Sequence, residues 1–63
     1  MKLSKKEQVL RVYKYDDVDC YAVTRNASGQ YTLYRIIDGD YQKMKTSESA
    51  ANFTQLVEKD RGE

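Results

Sequence analysis

The sequence predicts an α+β fold: an antiparallel three- to four-stranded meander with one C-terminal helix packed on one face. Three observations carry this reading. Gln30–Ile37 (QYTLYRII) is rich in β-branched and aromatic residues. Turn signals bracket it, Asn26-Ala27-Ser28-Gly29 before and Asp38-Gly39 after, which reads as a hairpin at each end. Beyond these strands the apolar period changes, and Ala50, Phe53, Leu56 and Val57 fall together at helical spacing.

The elements follow in order. Val9–Tyr15 (VLRVYKY) fits a strand, because Tyr and Lys flank β-branched positions and Asp16-Asp17 then reads as a turn. A helix is the alternative, since Ser4-Lys5-Lys6-Glu7 matches a capping box. Cys20–Arg25 is the second strand, Gln30–Ile37 the third and Tyr41–Lys45 a short fourth. Thr46 and Ser47 read as helix N-caps, with Glu48 in the first turn, where it favours the helix dipole. The helix is expected to run to about Lys59. The whole is one small domain, 1–63, with ends at about 1–6 and 60–63 expected to fray.

Turn chemistry also predicts register. A type I turn with Gly29 in a G1 bulge leaves Asn26 opposite Gln30, which sets Val23 against Leu33 and Tyr21 against Arg35. A type I′ turn at Asp38-Gly39 sets Ile37 against Asp40, Arg35 against Gln42 and Leu33 against Met44. Alternation then divides the side chains. One face carries Tyr21, Val23, Leu33, Arg35, Ile37 and Met44, and is the better partner for Phe53, Leu56 and Val57. The other carries Ala22, Tyr34, Ile36, Tyr41, Lys43 and Lys45, and is expected to stay uncovered. A slip of one residue would exchange the faces but still leave one semi-apolar face open.

Size and composition narrow the function. A chain of 63 residues buries only about 60% of the surface its unfolded form exposes, so it needs a staple. Cys20 is the single cysteine, which rules out an internal disulfide, and there is no histidine to serve as metal ligand or imidazole base. Association with a second chain is the staple left. A lone thiol suits a reducing compartment, no signal-peptide apolar run follows the N-terminal lysines, and no apolar run approaches the ~20 residues of a membrane span. These features predict a cytoplasmic location.

Catalytic parts are missing. No histidine can activate a nucleophile, and the three glycines are explained by turns and tail, not by a phosphate loop. The expectation is a protein that is not an enzyme, with no catalytic, cofactor-binding or metal residues and no evident small-molecule substrate. Asp16, Asp17 and Asp19 fall at the same end of a meander as Asp38 and Asp40, which would suit a weak cation site. Aspartate is also a favoured turn residue, and no metal-loop spacing is present.

Two binding readings remain. In the leading one, Tyr34, Ile36 and Tyr41, flanked by Lys43 and Lys45, form a contact surface for a protein partner, most simply a second copy in a homodimer. Six tyrosines without a tryptophan suit such a surface. In the alternative, the protein is a nucleic-acid-binding accessory protein that uses Lys5, Lys6, Arg25 and Lys45 at a basic end, beside the sheet tyrosines. The net charge of +1 and pI near 7.8 fall below the basic range of such modules, and no stacking motif is present. Compactness, absence of proline and absence of catalytic parts are similar in style to small accessory proteins of phages and mobile elements, with no motif to tie the chain to them.

Overall fold

The computed structural model describes residues 7–62. Four strands and one helix follow in order: β1 (Gln8–Tyr15), β2 (Val18–Arg25), β3 (Tyr31–Ile37), β4 (Asp40–Ser47) and α1 (Phe53–Asp60). The strands form one antiparallel sheet in sequence order, so β1 and β4 are its edges. Residues 9–15 are therefore strand, and the sequence's open choice there is resolved.

The turns do what their residues favour. Asp16 and Asp17 (φ 54° and 63°) close the first hairpin, and Asp38 and Gly39 (φ 52° and 81°) close the third. Positive φ at both central positions is the type I′ signature, whose twist matches that of the strands. In the second hairpin the Asn26 Oδ1 accepts from the Ser28 and Gln30 amides, both at 3.0 Å, and Gly29 (φ 81°) completes the bulge. The Asn26 amide donates to the Gln30 carbonyl at 2.9 Å, so the expected register of β2 on β3 holds, with Val23 opposite Leu33 and Tyr21 opposite Arg35.

The register of β4 starts as expected, with Ile37 opposite Asp40 and Arg35 opposite Gln42, and then changes. Lys43 lies opposite Tyr34, yet Lys45, not Met44, lies opposite Leu33. Met44 is the extra residue of a bulge. Beyond it Thr46 meets Thr32, with their hydroxyls 3.2 Å apart. β1 carries a similar irregularity at Leu10, which lies between the Val9–Thr24 and Arg11–Val23 pairs.

We call the side of Tyr21, Val23 and Leu33 the inner face. There Tyr13, Tyr21, Val23, Leu33, Phe53 and Val57 form one buried cluster, with Met44, Leu56 and Tyr31 packed against it. The side of Ala22, Tyr34 and Ile36 is the outer face.

Two expectations for the C-terminal region are corrected. Thr46 and Ser47 do not cap the helix, because β4 runs through Ser47 and α1 begins only at Phe53. The hydroxyl of Ser47 instead accepts from the Ser49 amide at 3.3 Å, and that of Ser49 from the Ala51 amide at 3.2 Å. These local turns compete with helix for the backbone of this serine-rich connection. At the other end Asp60 is not a loose residue. Its carboxylate accepts from Arg35 Nε at 3.1 Å, and also from Arg35 Nη2 and the Tyr21 hydroxyl. The Arg61 guanidinium lies 3.4 Å from the Tyr15 ring centroid, a cation–π contact. The other expected frayed end, 1–6, lies outside the described residues.

Candidate functional site

The expected contact residues do not all stand together. Ile36 and Tyr41 are cross-strand partners on the outer face, both half-buried, and exposed Lys43 is opposite Tyr34. Tyr34 shares that face but is only 2% exposed, and the neighbouring Ala22 is fully buried. The centre of the outer face is therefore not open, contrary to the sequence expectation. Lys45 leaves the group altogether. The bulge at Met44 turns it to the inner side, opposite Leu33.

Glu7 accounts for part of the closure. Its carboxylate accepts from the Thr24 hydroxyl at 2.8 Å and from the Tyr34 hydroxyl at 2.8 and 3.1 Å. Thr24 and Tyr34 come from different strands, so one carboxylate ties β2 and β3 together from the outer side. Burial, followed by the hydrogen bond and charge of Glu7, pushes the Tyr34 phenol up to about 12. The Tyr34 ring meets Tyr41 edge-on, with centroids 5.7 Å apart and planes at 83°. Sequence reasoning gave Glu7 only to a helix cap. Nothing in the local pattern marks it as an acceptor for two buried hydroxyls.

Two regions keep large apolar side chains exposed: Ile37 at the end of β3, expected in the core but set beside the third turn, and the rim toward β1 and the first hairpin. Val9, Leu10 and Val12 on the edge strand are 44, 47 and 38% exposed, and Val18 at the start of β2 is 58% exposed. Val12 is opposite Ala22 and so belongs to the outer face. Val18, Ile36 and Tyr41 line a shallow hollow of about 520 Å³ with Lys14, Asp17, Asp19 and Gly39. Lys14 and Asp19 form an exposed ion pair there at 3.7 Å, a contact of little energetic weight. The apolar run Val9-Leu10-Arg11-Val12 was the available signal for this surface. A meander puts this strand at an edge, but its irregular register on β2, with shifts at Leu10 and beyond Tyr13, decides which side chains stay exposed and has no sign in the sequence.

Of the basic end of the alternative reading, Lys5 and Lys6 lie outside the described residues, and Arg25 and Lys45 share the inner face in adjacent cross-strand rows. Arg25 stands over the Tyr31 ring at 5.8 Å on the inner face, and Lys45 faces a cleft beside α1. The turn aspartates do not converge: no group of three or more His, Cys, Asp or Glu able to hold a metal ion occurs among the described residues. No helix among the described residues is long and apolar enough to cross a membrane. No protein-family model, curated protein or solved structure matches the chain.

Proposed function

We propose that this chain is a non-enzymatic protein-interaction module that pairs with a second copy of itself. The observation that carries the reading is the run of exposed apolar side chains on the edge strand and its hairpin, Val9, Leu10, Val12 and Val18. β1 has a strand partner on one side only, so its outward backbone groups can add a strand. Ile36 and Tyr41, which share a hollow with Val18, extend the contact along the outer face, while Lys43 lies on the opposite edge strand. The burial of Phe53 and Val57 in the inner cluster supports association on the other side of the sheet. The single cysteine supports a cytoplasmic setting.

Sedimentation equilibrium of the wild type against Val12→Lys tests this. Val12 is exposed, so lysine there leaves the monomer folded while placing a charge in the contact. The wild type is expected to dimerise with rising concentration and the variant to remain monomeric. A wild type that stays monomeric throughout would defeat the reading.

A further inference from the structure

We propose that the cleft between β4 and α1 binds a small amphiphilic anion: an anionic headgroup on an apolar tail. The cleft has a volume of about 430 Å³ and is lined by Met44, Lys45, Leu56, Lys59 and Asp60. It is an open surface cleft, nearly as shallow as the hollow on the outer face.

Two departures from regular structure build it. The bulge at Met44 delivers consecutive β4 residues, Met44 and Lys45, to the inner side, where an unbroken pleat would deliver one. Leu56, Lys59 and Asp60 come from α1 at positions i, i+3 and i+4, which are neighbours on a helix surface. The cleft thus has a half-buried apolar floor, Met44 and Leu56, and two exposed ammonium groups, Lys45 and Lys59.

The remaining charge on the lining is already used. The Asp60 carboxylate is held by the Arg35 guanidinium and the Tyr21 hydroxyl, and these bonds keep its carboxyl below the usual carboxylate range. It stays ionised near neutral pH and is satisfied by partners other than the two lysines. Lys45 and Lys59 have no ion pair of their own among the described residues. Charge complementarity therefore selects an anion, and the apolar floor selects one with a hydrocarbon tail. Inorganic phosphate would answer only the lysines, and a cationic amphiphile only the floor.

Amide NMR of the full chain, titrated with decanoate below its micelle concentration, tests the assignment. Saturable shifts are expected at Met44, Lys45 and Leu56 to Asp60. The Lys45→Glu/Lys59→Glu variant should bind at least about tenfold more weakly, since it removes two charge-assisted contacts. Both lysines are exposed, so the variant should keep the wild-type spectrum elsewhere. Equal binding of decyltrimethylammonium would overturn the proposal, as would equal saturation by inorganic phosphate, or decanoate shifts on the outer face alone. The self-association test uses the outer face and edge strand, so either result stands without the other.

Discussion

The two faces of this sheet are closed by different chemistry. The inner cluster is sealed by hydrocarbon and aromatic side chains, with Phe53 at 1% and Val57 at 0% exposure against Leu33 and Val23. Its polar contacts lie at the margin: the Tyr13 hydroxyl with Thr54 at 2.9 Å, and Tyr21 and Arg35 with Asp60. The outer face buries hydroxyls instead, those of Thr24, Thr32 and Tyr34, and relies on Glu7 to satisfy two of them. Apolar burial is roughly proportional to area and tolerant of direction. A carboxylate serving two hydroxyls is directional, and losing it leaves the full desolvation penalty. The inner face should therefore carry most of the stability, and the outer face should depend on one side chain.

Substitutions can break or sharpen that contrast. Phe53→Ala should have the largest effect, about 3–5 kcal/mol, which is enough to unfold a domain of this size. Urea denaturation followed by circular dichroism would measure it, and a stable fold would show that the inner cluster does not depend on the helix. Glu7→Ala should cost less, about 1–3 kcal/mol, because it leaves two buried hydroxyls without their acceptor. It should also lower the Tyr34 phenol pKa, read from phenolate absorbance. The fall should be partial, since burial, the larger cause, remains.

The pH dependence follows from the same groups. Tyr34 keeps its proton in the folded state up to about 12, above the ordinary phenol value, and Tyr21 is raised in the same direction by burial and Asp60. Their stabilising contribution is complete below the ordinary phenol pKa of about 10 and is lost as pH rises toward the folded values. Asp60 acts in the opposite limb. Its folded pKa is depressed, first by the Arg35 hydrogen bond, so its contribution is present above the ordinary carboxylate range and is lost as pH falls through the lower folded value. Asp60→Asn should have the smallest effect of the three substitutions, flattening the acid limb of a thermal-melting profile while leaving the alkaline limb in place.

Much of this architecture was legible in the sequence. Turn residues encode their own conformation, so Asn26, Gly29, Asp38 and Gly39 gave both hairpins and the β2–β3 register. The Asp16-Asp17 turn was legible for the same reason. The bulge at Met44 was not. It pairs Thr32 with Thr46 across strands, and strict alternation within β4 contains no sign of it. That one inserted residue moved Lys45 off the expected contact surface. The helix start was misplaced because Thr46, Ser47 and Ser49 serve caps, strands and local turns alike. Of the expected contact residues, Ile36, Tyr41 and Lys43 kept their face. Tyr34 was lost to burial through Glu7, a long-range contact with no local signature.

Amide hydrogen exchange in dilute and concentrated solution would test the central claim most directly. If β1 pairs with β1 of a second copy, its outward amides and those around Val18 should gain protection as concentration rises. The amides of α1 should not change. Identical exchange across β1 at both concentrations would contradict the proposal that this edge is where the protein meets its partner.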